Sequence, residues 1–412
     1  MIDLSEFESI RPYDDEEAVK ALGRVSRHPM LPAISKSLFP KAPAGFMGKA
    51  LRSVKSIDEF QSAVMLNVVN AVLAQTSEGF TVSGTENLKP FAATHLEDED
   101  GHHFDGHTVA SEQFKGKRFL AMSNHRDIVI DPALICYTLR NAGIYELELC
   151  VGSNLLQPGL VEDLLRSNRM IKVIRGISGR EMYLSSQILS KYIRLSITSG
   201  NSCVWIAQRE GRTKDGLDVT EQGLLKMFDM SGEGSFVENF KELNIVPMSI
   251  SYEYEPCDSR KARETLIRQL TGTYKKRKNE DTHSIMTGIR QQKGHIHLAI
   301  GKPLSDEEMA EAAAHTGNDR YKVIRAMYTK RIIQGYKLWK TNYMGYDLMN
   351  GHTAHMGVKY LPSDLEAFKK YTEHKLSKIE RRYDRAALRD IFWHIYGNPV
   401  QAAIDNGFEP AE

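Results

Sequence analysis

Phe119-Leu120-Ala121-Met122-Ser123-Asn124-His125-Arg126-Asp127-Ile128-Val129-Ile130-Asp131-Pro132 is the stretch that decides how this chain folds. Its apolar opening has the texture of a short strand. The Asp-Pro pair near its end is a helix-start signal: aspartate caps, and proline loses nothing in a first helical turn. A strand that runs straight into a helix start predicts a turn holding His125, Asp127 and Asp131 together. Turns of this kind, held by a rigid sheet, are where α/β proteins aim side chains at ligands.

The same texture recurs outward from that stretch. Apolar, β-branched runs fall at 118–122, 146–151, 170–174, 203–207, 245–250 and 296–300, with helical patterns such as 181–197 between most of them. The alternation predicts an α/β fold, a mixed, largely parallel sheet flanked by helices on both faces. Pro247, inside one run, predicts an edge strand or a bulge. Before the sheet, Phe60, Ala63, Val64, Val68, Ala71 and Val72 share one helical face, and Phe80-Thr81-Val82 is the first strand-like run. After it, Ser305 with Glu308 and Ser363 with Glu366 form capping-box patterns, the second just past Pro362. The expected organisation is a helical N-terminal region over 1–85, an α/β domain over 86–304 and a helical C-terminal region over 305–412.

Charge and cysteine usage narrow the function classes. The 54 basic and 53 acidic residues leave a net charge of +1. That balance argues against a nucleic-acid binder, and any basic site has to be local. Cys136, Cys150, Cys203 and Cys257 are scattered, with no C-x-x-C pair, which predicts buried free thiols in a reducing compartment. The acidic N-terminus has no signal-peptide core, and no apolar run nears the ~20 residues of a membrane span. A cytoplasmic location is expected, with attachment to a membrane surface left open. Phe39, Phe46, Met47 and Leu51, interleaved with Lys36, Lys41, Lys49 and Arg52, are a candidate lipid-facing surface; ordinary helix packing is the plainer alternative. The His- and Asp-rich segment 95–107 lacks zinc or EF-hand spacing and is expected to be a hairpin loop without metal.

Three further stretches carry polar chemistry at strand ends. Met170-Ile171-Lys172-Val173-Ile174-Arg175-Gly176-Ile177-Ser178-Gly179-Arg180 ends a strand in a Gly/Arg loop. Val204-Trp205-Ile206-Ala207-Gln208-Arg209-Glu210-Gly211-Arg212-Thr213-Lys214 ends one in a Glu-Gly-Arg loop. Glycines there let backbone N–H groups approach an anion, and Arg212 with Lys214 can clamp a phosphate. Ile245-Val246-Pro247-Met248-Ser249-Ile250 is the third. Taken singly, each also fits an ordinary turn or core strand.

In this order, the blocks resemble the glycerolipid acyltransferase family, which includes glycerol-3-phosphate and lysophosphatidate acyltransferases. The family's hallmark is Asn-His, four residues and Asp, followed by an Arg/Gly turn, a Glu-Gly or Gly-Arg block and a Val/Ile-Pro strand. Ile300-Gly301-Lys302-Pro303-Leu304 is similar to its closing strand. The resemblance spans about 115 to 305. It departs at one point, since Asp131 is six residues after His125 where the family has five. Aligning Asp-Pro-Ala selects Asp131, with Asp127 as the alternative. Gly211-Arg212-Thr213-Lys214 looks more like the glycerol-3-phosphate enzymes. The helical N-terminal region and lack of a span resemble the soluble, chloroplast-like members.

The resemblance implies transfer of a fatty acyl group from acyl-CoA or acyl carrier protein to a hydroxyl of glycerol-3-phosphate or lysophosphatidate. His125 is then the general base and Asp131, or Asp127, its orienting partner. Backbone N–H groups of the 125–133 turn are candidate oxyanion donors. Arg175, Glu210, Gly211, Arg212 and Lys214 are the candidate acceptor-binding residues. No metal or redox cofactor is implied. Another hydroxylated lipid acceptor, a thioester hydrolase and a lipid- or phosphate-binding protein on the same scaffold are the alternatives.

Overall fold

The computed structural model describes residues 4–92, 117–156 and 158–409. The 95–107 segment, read above as a hairpin loop, lies outside the described residues. Seven strands form one sheet: β1 (Gly79–Ser83), β2 (Leu120–Ser123), β3 (Leu147–Gly152), β4 (Met170–Val173), β5 (Cys203–Ala207), β6 (Val246–Tyr252) and β7 (His295–Ile300). Their order is β1-β7-β6-β2-β5-β3-β4. From β6 to β4 every neighbouring pair is parallel, β7 runs antiparallel to β6, and β1 runs parallel to β7. The fold is therefore α/β, with a mixed, largely parallel sheet and helical regions before and after it.

Both faces of the sheet are covered, which is why its central strands are apolar at successive positions. Leu120 and Met122 point into one core with Ile193 and Ile197 of the Gly179–Thr198 helix. Phe119 and Ala121 point into the opposite core with Leu134 and Ile135 of the Ile130–Asn141 helix. The period-two alternation of β2 thus feeds two cores at once.

Pro247 corrects one expectation. Its strand is not an edge, because β6 lies between β7 and β2. The proline is tolerated because it sits where the β7 ladder ends, with its carbonyl accepting from Gly301 N–H at 2.8 Å. Only one ladder donor is missing, at the rim of the sheet.

The flanking regions have cores of their own. In the N-terminal helices, Leu22, Leu31, Met47, Leu51, Phe60 and Val64 pack together. Met47 and Leu51 are therefore core residues and cannot face lipid, whereas Phe46 remains 42% exposed. In the C-terminal helices, Tyr343, Phe368, Leu388, Phe392 and Tyr396 pack with Ala262 and Leu266 of the Asp258–Thr271 helix. The Ser305/Glu308 capping box is present. The Ser363/Glu366 one is not. That helix spans Pro362–Leu376, and Asp364 instead accepts from Leu361 N–H at 2.9 Å. Cys150, Cys203 and Cys257 are buried, Cys136 is half-buried, and all four are free thiols. Among the described residues no helix is long and apolar enough to cross a membrane.

Candidate active site

Strands β4, β3, β5, β2 and β6 all end on one side of the sheet, and the loops that follow them gather there. This is where a parallel α/β sheet collects its polar groups. Asn124 leaves the end of β2 and extends its pairing with β6 through its side chain. Its Oδ1 accepts from Ile250 N–H at 2.8 Å, and its Nδ2 donates to Ile250 O at 2.9 Å. An amide is the side chain that can imitate a backbone unit in this way. The chain then turns sharply, which places the next residue, His125, at the rim.

His125 Nδ1 lies 2.9 Å from Asp131 Oδ2. The same oxygen accepts from Arg126 N–H at 2.5 Å and from Asp127 N–H at 2.8 Å. Asp131 Oδ1 accepts from the Tyr252 hydroxyl at 2.6 Å. Asp131 is fully buried, and a carboxylate with this many donors can only accept. The proton of the imidazole is thus held on Nδ1. Nε2, the other ring nitrogen, has no hydrogen bond among the described residues. The ring meets Trp205 in a T-shaped arrangement, centroids 5.8 Å apart, and Trp205 Nε1 donates to Ser123 Oγ at 2.9 Å. Burial, followed by the charge of Asp131, pushes the Tyr252 phenol well above its ordinary range, so it stays a donor.

The two aspartates are placed differently from what Asp-Pro suggests. The helix begins at Ile130, so Asp131 lies inside its first turn rather than at its cap. Asp127 does the capping: its Oδ1 accepts from Val129 and Ile130 N–H, both at 2.9 Å. Its Oδ2 is buried without a partner among the described residues. Burial, then the nearby Asp131 charge, raises the Asp127 carboxyl above its usual range. Of the backbone donors in the turn, those of Arg126, Asp127, Val129 and Ile130 are committed to these carboxylates. An oxyanion formed here has to be met by other donors.

Beneath the turn lies a buried charge network that the motifs do not reveal. Arg126 is fully buried. It donates to Asp218 Oδ2 at 2.5 Å, Glu255 Oε2 at 3.1 Å and Gly216 O at 3.1 Å. Lys261 Nζ holds Arg126 O at 2.9 Å and Glu255 Oε1 at 2.5 Å. Two cations and two anions therefore neutralise one another out of water. Burial disfavours the charge of Arg126, but Asp218 and Glu255 outweigh it and hold the guanidinium well above its ordinary range. The C-terminal helices brace this network. The Tyr336 ring lies 4.7 Å from the Arg126 guanidinium, and the Tyr396 hydroxyl accepts from Glu255 N–H at 3.0 Å.

The Glu-Gly-Arg loop joins the turn directly, with Thr213 N–H donating to His125 O at 2.9 Å. Gly211 adopts φ +72°, a left-handed conformation that favours glycine. Arg212 is only 9% exposed, yet its Nη1 has no hydrogen-bond partner among the described residues. Its charge acts on Asp127 and on Asp281 of the Glu280–Arg290 helix. Lys214 has an ion pair of its own, with Glu264 at 2.7 Å. Burial and then the Arg212 charge push its amine down to about 8, against the pull of Glu264.

Arg175 and Glu210 meet only loosely. Arg175 Nη1 is 3.9 Å from Glu210 Oε1, with side chains 32% and 71% exposed. The Arg175 side chain crosses Gly152 so closely that a Cβ there would lie 2.7 Å from its Nε. The tertiary fold thus gathers His125 with the buried Asp131, Asp127 and Arg212, seats Lys214 on the Arg212 loop against Glu264, and leaves Arg175 and Glu210 more exposed.

No family model matches the chain, and no curated protein matches it in sequence. Among solved structures it is similar to the 1-acyl-sn-glycerophosphate (LPA) acyltransferase, PlsC, from Thermotoga maritima, at 12% identity and a TM-score of 0.33. That likeness covers 76% of this chain and 96% of the other. At this TM-score it carries no weight for the chemistry.

Motif matching also misses Tyr252, Arg126, Lys261 and Lys293. Tyr252 had one signal, a polar aromatic at the end of the strand beside β2. Lys293 is fully buried and donates to Thr76 Oγ1 at 2.9 Å and Gln291 O at 2.8 Å. Burial pushes its amine down to about 8, although the field of Asp127 opposes this. Nothing local in the sequence separates these lysines and Arg126 from surface charges.

Proposed function

We propose that the chain is an acyltransferase. It moves a fatty acyl group from an acyl-CoA or acyl carrier protein thioester to a hydroxyl of glycerol-3-phosphate or lysophosphatidate. The observation that carries this is His125, its Nδ1 fixed by Asp131 and its Nε2 unpartnered, hydrogen-bonded through its carbonyl to a loop bearing the buried Arg212. An imidazole held in one tautomer is suited to general-base work. A buried guanidinium with an unpartnered N–H is suited to an anion.

In the proposed reaction, Nε2 of His125 takes the acceptor's hydroxyl proton as that oxygen attacks the thioester carbonyl. Asp131, held in place by Tyr252, stabilises the imidazolium. The tetrahedral intermediate then collapses: the C–S bond breaks, and the proton on Nε2 goes to the leaving thiolate. No acyl-enzyme is needed. Arg212 would bind the acceptor phosphate. Lys214 would add positive field beside it, and Arg175 and Glu210 would contact the acceptor at the rim.

The test is thiol release from an acyl-CoA and from an acyl carrier protein, each with and without glycerol-3-phosphate, lysophosphatidate or lyso-ornithine lipid. Acceptor-dependent release with an O-acylated product is expected. Release that ignores the acceptor would make the chain a hydrolase. No release with any pair would remove the catalytic reading.

A further inference from the structure

The 32 residues from Arg24 to Lys55 contain four lysines, three arginines and no acidic residue, in a chain whose charges otherwise nearly cancel. All seven cations are exposed. Arg24 alone among them has an ion pair among the described residues, with Asp163 at 2.6 Å. Folding places apolar groups among them. Met30 is 59% exposed and Phe46 is 42% exposed. The Phe46–Ser53 helix buries Met47 and Leu51 and turns Phe46, Lys49 and Arg52 outward.

One point of this surface is tied to the site end of the sheet. Gln75 Nε2 donates to Leu38 O at 2.9 Å, which ties the end of the Leu31–Leu38 helix to the end of the Leu66–Thr76 helix. The next residue, Thr76, accepts at its carbonyl from Lys293 N–H at 2.8 Å. The Lys293 amine is buried within the field of Asp127 in the candidate site.

We infer that the exposed face of residues 27–55 is a docking surface for an anionic lipid bilayer. Exposed lysines without paired acids among the described residues suit a diffuse negative field, and Met30 and Phe46 supply the apolar contact that charge alone lacks. Two such signals together are what stable peripheral attachment takes. The choice of a bilayer over an acidic protein rests on the proposed lipid chemistry; the segregation of charge does not. The assignment keeps Phe46, drops Met47 and Leu51, which the core holds, and adds Met30.

Flotation of the full chain with phosphatidylcholine vesicles, with and without about one third anionic phospholipid, tests it. Binding only to the anionic vesicles, weakened by salt, is expected. Replacing Lys36, Lys41 and Lys49 by Gln should lower that binding about fivefold per charge removed, and Phe46→Ser should lower it further. Turnover of a short-chain, water-soluble acyl thioester should stay unchanged in the same variants. Vesicle binding that is absent, or undiminished in the triple variant, overturns the proposal. So does loss, in that variant, of affinity for an acidic carrier protein when the wild type binds no vesicles. A wild type that binds vesicles but turns over no thioester would retire the catalytic reading and leave this surface standing.

Discussion

Gly288 and Asp127 meet so closely that a Cβ on Gly288 would lie 2.0 Å from Asp127 Oδ2. Asp127 is therefore held between the start of one helix, which it caps, and the flank of another. Its free oxygen faces packed protein. This separates the two aspartates of the turn: Asp131 meets the imidazole, while Asp127 bonds the start of its helix and packs against Gly288.

Gly288→Ala should accordingly destabilise the protein by about 1–3 kcal/mol, as overpacking of a tight contact does. Chemical denaturation reads the loss. Asp127→Ala removes the obstructing oxygen and a helix cap worth about 1 kcal/mol. The double variant should then lose at least ~0.5 kcal/mol less than the two single losses combined. Strict additivity would mean that the contact carries no energy.

The roles proposed for the aspartates can be separated by isosteric change. Asp131→Asn should lower kcat by about a hundredfold or more, because an amide no longer holds the imidazole in one tautomer. Asp127→Asn should leave kcat within a few-fold while lowering the unfolding midpoint. The opposite pattern would make Asp127 the orienting residue.

Tyr252→Phe leaves Asp131 Oδ1 buried without its donor. A stability loss of about 1–3 kcal/mol is expected, with KM for both substrates unchanged because the phenol is buried and committed to Asp131. Thermal unfolding and steady-state kinetics check the two halves. An unaltered unfolding midpoint would show that the 2.6 Å contact contributes nothing.

Lys214 gives a pH dependence with a definite sign. Its amine, held down to about 8 mainly by burial, is charged below that pH and neutral above it. Binding of a phosphate acceptor should therefore weaken as pH rises through about 8, seen as a fall in kcat/KM for the acceptor. Lys214→Arg should flatten that limb, and Lys214→Gln should remove it at a higher KM throughout. A limb that survives in Lys214→Gln belongs to another group.

Arg126→Met would leave Asp218 and Glu255 facing Lys261 alone. A loss of about 3–5 kcal/mol is expected, as for other broken buried ion networks, read by chemical denaturation. A near-neutral outcome would show that water enters the network.

Much of this was legible in the sequence, for a local reason. Strands report themselves by apolar, β-branched runs, and every run identified became one of the seven strands. His125 and Asp131 were legible because strand, turn and helix start are contiguous there. Pro247 misled, because a proline at the end of a ladder looks the same in sequence as one at a sheet edge. Met47 and Leu51 misled because alternation of lysine with apolar residues describes a core-packed helix as well as a lipid-facing one.

The sequence alone determined the α/β alternation, the turn carrying His125 and the charge imbalance of residues 24–55, since each is encoded in consecutive residues. Only the tertiary structure decided that Asp131 takes the imidazole while Asp127 caps the helix. It also decided that Tyr252 completes the carboxylate's shell, and that Arg126 and Lys261 are buried rather than solvated. The places of Tyr252 and Arg126 depend on contacts between residues more than a hundred positions apart, Asp131 with Tyr252 and Arg126 with Glu255. Crossover connections in a parallel sheet bring such residues together, and no local spacing rule describes them.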